Sequence, residues 1–252
     1  MALVHLNGSD LYCETVGAGE PVLFLHGGFC SLESLRPQFD AVAQRFEAHG
    51  FERAGHGRSA DIEGDYSYEQ GVADALAYLD VHGLDSVHVV GYSDGANIGL
   101  MLALAHPHRV RSLVAISGNL DPTGLAGAMP GAVELTAIPD ATSTPTPNAT
   151  RLAYEALSPD GPGHADVVLA KLMHLWTTEP HITPASLASI AAPCLIVSAD
   201  RDTIRPDHSL LIAASIPGAR LCIVPGATHG LLEHRSSFVT FVILDFLASL
   251  TP

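Results

Sequence analysis

The sequence predicts an α/β protein, a mainly parallel sheet covered by helices on both faces. Three observations carry that prediction. Short, almost wholly apolar runs at 21–26, 86–90, 112–117, 194–198 and 219–224 read as strands buried on both sides. Helix-like stretches alternate with them. The chain has 252 residues, 47% hydrophobic and 15% charged, enough to bury a sizeable core in one large domain or two small ones.

The elements follow in order. Runs at 4–6 and 11–16, separated by Asn7-Gly8-Ser9-Asp10, predict an antiparallel hairpin. The strand at 21–26 ends in Gly27-Gly28, and a helix over 36–45 follows with Pro37 in its first turn. The stretch 46–51 reads as a weak strand. Ser67-Tyr68-Glu69-Gln70 is a capping box that opens a helix, and Val72, Ala73, Leu76 and Leu79 recur on its inner side. Gly83 suits the position just past its end.

After the strand at 86–90 comes an Ala- and Leu-rich helix to about Ala105, then the strand at 112–117. The alternation breaks between about 120 and 190, where Pro, Gly and Thr accumulate around helix-like pieces at 151–157 and 167–176. The sheet then resumes, and a helix over 237–250 closes the chain. The expected organisation is a core over 1–120, a lid or cap insertion over 121–189 and the rest of the core over 190–252. An insertion of roughly 70 residues is too long for an idle loop.

Charge and composition exclude several function classes. Twelve basic against 27 acidic side chains give a formal charge of −15, which opposes binding to nucleic acid or to an anionic membrane. The N-terminus has neither the basic nor the apolar region of a signal peptide, so the expected location is cytoplasmic. Cys13, Cys30, Cys194 and Cys222 form no C-x-x-C pair, and Cys30 reads as a packing residue. His106-Pro107-His108 has no carboxylate or H-E-x-x-H partner, so no metal and no cofactor is expected. Oligomeric state is left open.

Gly91-Tyr92-Ser93-Asp94-Gly95 is a G-x-S-x-G pentapeptide between a strand and a helix. A turn sharp enough to lift the serine oxygen off the backbone crowds the positions two before and two after it. Both are glycine here. A frame centred on Asp94 would put Tyr92 in the crowded position, so Ser93 is the candidate nucleophile.

With this motif the chain resembles the serine branch of the α/β-hydrolase fold family, along nearly its whole length. His26-Gly27-Gly28-Phe29 matches the family's oxyanion loop, Gly55-His56-Gly57-Arg58-Ser59 its G-x-G-x-S turn, 200–206 its acid loop and 225–230 its histidine loop. The resemblance implies a mostly parallel eight-stranded sheet flanked by helices. It also implies a triad of Ser93, Asp202 and His229, with the N–H groups of Gly28 and Asp94 as the oxyanion hole. Asp202, followed by x-x-x-Pro, is preferred over Asp200 as the acid. Glu52 stands near the position where relatives carry Asp.

The implied activity is hydrolysis of a small carboxylic ester, a small-molecule partner, through an acyl-enzyme. Gly-Tyr-Ser-Asp-Gly is also similar to the motif of valacyclovir-hydrolase-like enzymes, which suggests that the Asp94 carboxylate draws a cationic acyl group such as an α-amino acid ester. The bland alternative is that this carboxylate bonds a neighbouring loop. Phe29, Met129, Met173, His174 and Trp176 are candidate pocket walls. Hydrolysis of a C–C bond or lactone, and perhydrolysis, fit the same triad. A non-catalytic small-ligand receptor is the competing reading from another class.

Overall fold

The computed structural model describes residues 2–126 and 149–250. Among them eight strands form one sheet in the order β1-β2-β4-β3-β5-β6-β7-β8. The hairpin is β1 (Ala2–Leu6) and β2 (Ser9–Gly17), turning at Asn7 (φ 48°) and Gly8 (φ 89°), two consecutive left-handed residues that suit a tight hairpin. β3 (Pro21–Leu25), β5 (Val87–Tyr92), β6 (Val110–Ile116), β7 (Cys194–Arg201) and β8 (Arg220–Thr228) run parallel, while β1 and β2 are the antiparallel end.

The weak strand is a full member of the sheet. β4 (Glu47–Phe51) pairs in parallel with β3 and antiparallel with β2, so its poor intrinsic propensity is offset by hydrogen bonds on both edges. Glu52, directly after it, is fully buried and organises the turn that follows. Its carboxylate accepts from the N–H of Leu32 (3.1 Å) and of Arg58 (2.5 Å) and from the Arg58 guanidinium (2.8 Å). Burial pushes its carboxyl above the usual range despite these donors.

The strand pleat sends alternate residues to two cores. Leu23, Leu25, Val89 and Leu113 face one, with α2 (Tyr68–Val81) and α3 (Asp94–Ala105) over them. Val22, Phe24, Val90, Val114 and Val197 face the other, covered by α1 (Arg36–Val42) and α8 (Ser236–Ala248). The Ser67 hydroxyl accepts from the Gln70 N–H at 3.1 Å, the capping interaction expected at the start of α2. The Gln70 side chain turns to Asp74 instead of completing the box.

Between β6 and β7 the chain leaves the sheet. The described part of this segment holds α4 (Ala149–Leu157) and α5 (Ala165–Thr178), close to the helix-like pieces expected there. A helix not anticipated from the sequence, α6 (Pro206–Ser215), follows the acid loop with proline in its first turn, a signal that was available. A single helical turn, α7 (Leu231–His234), follows β8. No helix among the described residues is long and apolar enough to cross a membrane.

Candidate active site

The site lies at the carboxyl ends of the parallel strands, where loops from β3, β5, β7 and β8 converge. Ser93 lies between β5 and α3 with φ 53° and ψ −117°, a strained backbone for a residue with a Cβ. Packing holds it there. A Cβ at Gly91 would lie 2.2 Å from the Gly95 carbonyl oxygen, and one at Gly95 would lie 2.0 Å from that of Leu25. Only glycine fits either position.

His229 and Asp202 are brought to Ser93 from loops at the end of the chain. The His229 Nε2 stands 3.1 Å from the Ser93 Oγ, and its Nδ1 stands 2.6 Å from the Asp202 Oδ1. Asp202 is buried and richly supplied with donors. Its Oδ2 accepts from the hydroxyls of Ser117 (2.5 Å) and Ser198 (3.3 Å) and the Ala199 N–H, and its Oδ1 accepts from the Ile204 N–H. Burial acts to raise the Asp202 pKa, but attraction to His229 and these donors win and hold it below the ordinary carboxylate range. For His229, burial acts to lower the pKa, but the adjacent Asp202 carboxylate wins and raises it. This arrangement can pass a proton from Ser93 to His229 and keep the resulting imidazolium paired.

Asp200 does different work. It accepts from the Ala227 N–H at 3.1 Å and pairs with Arg201 at 2.8 Å, bracing the histidine loop without touching His229. His26 fixes the loop after β3. Its Nε2 accepts from the Arg53 N–H at 2.9 Å, so its Nδ1 carries the proton and donates to the Gly27 carbonyl at 2.7 Å. Burial, with the Arg53 charge nearby, pushes its pKa down to about 3, so the ring stays neutral.

Asp94 carries two expectations, a counter-charge for substrate and a hydrogen bond to a neighbouring loop. Its carboxylate is 2% exposed and already engaged on both oxygens. Oδ2 pairs with the Arg53 guanidinium at 3.1 Å; Oδ1 accepts from the Tyr68 hydroxyl at 3.0 Å and the Trp176 indole N–H at 2.9 Å. Hydrogen bonding to neighbouring segments, the bland alternative, is the observed arrangement. Arg53 and Tyr68 were not among the candidates. Nothing in the local sequence singles them out, because both reach Asp94 from segments distant in the chain.

The other wall candidates divide. Phe29 is buried and stacks on Tyr154 of α4, with ring centroids 4.9 Å apart. It lines a cavity of about 480 Å³ with Cys30, Tyr92, Tyr154, Leu157 and Leu232. Trp176 points inward to Asp94. Met173 and His174 are exposed on α5 and do not line this cavity, because the helical period turns Leu172 and Leu175 toward the core. Met129 lies outside the described residues. No group of three or more His, Cys, Asp or Glu side chains among the described residues is arranged to hold a metal ion.

Known proteins match this architecture. A model of the α/β hydrolase fold family matches residues 20–143. A protein of Azorhizobium caulinodans, provisionally named the carbamate hydrolase RutD, is 31% identical to this chain, covering 98% of each. The rhodomycin D methylesterase DauP of a Streptomyces strain is 27% identical, covering 88% of this chain and 89% of its own. The solved structure of Est816, described as an N-acyl homoserine lactone degrading enzyme, superposes with a TM-score of 0.79 at 24% identity, covering 97% of this chain and 99% of that one. The chain therefore belongs to the α/β-hydrolase fold family and has the general character of its hydrolases.

Proposed function

We propose that this chain is a serine hydrolase that cleaves small, uncharged carboxylic esters through an acyl-enzyme. Ser93 is the nucleophile, His229 the general base and then acid, and Asp202 the partner that fixes the imidazole tautomer. The observation that carries this reading is the continuous chain of contacts from Asp202 through His229 to Ser93 Oγ at a strained strand-to-helix turn.

In the first half-reaction Ser93 Oγ adds to the ester carbonyl carbon while its proton passes to His229 Nε2. The carbonyl oxygen becomes an oxyanion held by the backbone N–H groups of Gly28 and Asp94, about 3 kcal/mol of transition-state stabilisation per donor. Collapse breaks the bond to the alkoxy oxygen, which takes the proton from His229. Water, deprotonated by His229, then attacks the acyl-enzyme; collapse releases the acid and returns the proton to Ser93.

The substrate's charge follows from Asp94. With Arg53 already against its carboxylate, Asp94 has little net negative charge to offer an α-amino group, so the reading takes an uncharged acyl group.

Carbamate hydrolysis is a second reading, favoured by the 31% identity with the Azorhizobium protein over nearly the whole chain. A carbamate presents the same carbonyl to the same triad. Purified protein assayed with simple acyl esters, α-amino acid esters, lactones, carbamates, C–C cleavage substrates and peroxide-dependent halogenation separates the readings. Turnover of simple esters, lost in Ser93→Ala, is the expected result. Carbamate turnover with inert esters selects the second reading. Full turnover by Ser93→Ala overturns both.

A further inference from the structure

Trp176 reaches from α5 into the oxyanion region. Its indole N–H donates to Asp94 Oδ1 at 2.9 Å, and its ring packs on Gly28 so closely that a Cβ there would lie 2.6 Å from Trp176 Cζ2 and 2.6 Å from Asp94 Oδ2. Gly28 and Asp94 are the residues whose backbone N–H groups serve the oxyanion in the reading above. One side chain from α5 therefore bears on both donors. On the opposite side Asp94 is held by Arg53 from the turn after β4 and Tyr68 from α2. Asp94 is the first residue of α3; the Ser93 carbonyl in its peptide unit accepts from the Ala96 and Asn97 N–H groups, and the anchored side chain holds the same residue from the other side. The Gly27 carbonyl, in the same peptide unit as the Gly28 N–H, accepts from His26 Nδ1 at 2.7 Å, and Trp176 adds packing on the other side of that unit, against the Gly28 Cα.

We propose that Trp176 is a positioning residue for the oxyanion hole, acting through the Asp94 carboxylate and the Gly28 backbone. The proposal rests on the serine-hydrolase reading. Oxyanion donors contribute only when aimed at the tetrahedral oxygen, so loss of their alignment should lower kcat with little change in KM. Tyr68 and Arg53 would continue to hold the carboxylate from the core side, so the effect should be partial.

The chain has a single tryptophan, so its fluorescence reports this contact directly. Butylboronic acid is the probe. Ser93 Oγ adds to the empty orbital of boron as its proton passes to His229, giving a tetrahedral adduct that places an oxygen in the hole. Trp176→Phe keeps an aromatic ring and removes the N–H donor. Lys171→Met is the control. Lys171 also ties α5 to the core, bonding Asp61 at 2.8 Å and lying over the Tyr66 ring, away from Gly28 and Asp94.

Activity is counted per site labelled to completion with a fluorophosphonate, so misfolded protein drops out of the measurement. Trp176→Phe is expected to lower kcat per site by about tenfold and to weaken butylboronic acid by a similar factor, with ester KM within about twofold of the parent. Lys171→Met is expected to leave all three within about twofold, and saturating boronic acid is expected to change the parent's tryptophan emission. Unchanged kcat per site in Trp176→Phe overturns the proposal, as does an equal loss in Lys171→Met or a parent emission indifferent to the adduct. Absence of fluorophosphonate on Ser93 in the parent overturns the serine-hydrolase reading and this proposal with it.

Discussion

The hydroxyl of Tyr92 donates to the backbone carbonyl of His229 at 2.7 Å, and the two rings lie 5.2 Å apart between centroids. The residue immediately before the candidate nucleophile thus holds the loop that carries the candidate base, although 137 positions separate them in the chain. Tyr92→Phe should remove the tether and leave a sheltered carbonyl unpaired. A loss of about 1–2 kcal/mol in urea unfolding is expected, with kcat falling several-fold as His229 loses its fixed orientation. An unchanged kcat would show that other contacts suffice to hold the loop.

Activity should fall on acidification along a limb set by His229. The imidazole must be neutral to take the Ser93 proton, and Asp202 raises its pKa above the ordinary value of 6.5. The limb of kcat/KM should therefore centre above 6.5, with about a tenfold loss per pH unit below it. Asp202, held below the usual carboxylate range, stays ionised across that window. A profile flat from about pH 8 to pH 4 would contradict the role given to His229.

The two acids of the loop after β7 should separate cleanly. Asp202→Asn removes the partner of His229 Nδ1 and should lower kcat by on the order of 10³–10⁴-fold. Asp200→Asn keeps an oxygen for the Ala227 N–H and should cost less than about fivefold, since Asp200 does not contact the imidazole. Steady-state kinetics on both variants, counted per fluorophosphonate-labelled site, decide the assignment. Equal losses would reverse it.

Gly95→Ala should fold poorly. The new Cβ would meet the Leu25 carbonyl at 2.0 Å, and backbone cannot rotate aside as a side chain would. A loss of about 3 kcal/mol or more is expected, at the upper end of overpacking costs. Denaturant unfolding measures it, and wild-type stability would mean that the turn is looser than its packing indicates.

Glu52→Gln should destabilise without touching the chemistry. The substituted amide offers one acceptor oxygen where the carboxylate serves two backbone N–H groups and the Arg58 guanidinium. About 2 kcal/mol should be lost from unfolding stability, with kcat per labelled site unchanged.

Local sequence by itself determined much of this protein. Strand and helix periods, the Ser67 cap and the Asn7-Gly8 turn depend on neighbours a few residues apart, so they are legible without the fold. The G-x-S-x-G pentapeptide is equally local, since its glycines are required by one turn. The order Ser93, Asp202, His229 was legible through family motifs, each short and contiguous. Tertiary structure alone decided what long-range contacts decide. β4 is a strand because β2 and β3 supply its hydrogen bonds from both sides. Met173 and His174 stand outside the described cavity because α5 turns other residues inward. Asp94 reads in sequence either as a charge available to substrate or as a partner for a neighbouring loop, and Arg53, 41 positions away, and Trp176, 82 positions away, occupy it. A carboxylate's chemistry is set by what surrounds it within a few ångströms, and those neighbours come from distant parts of the chain.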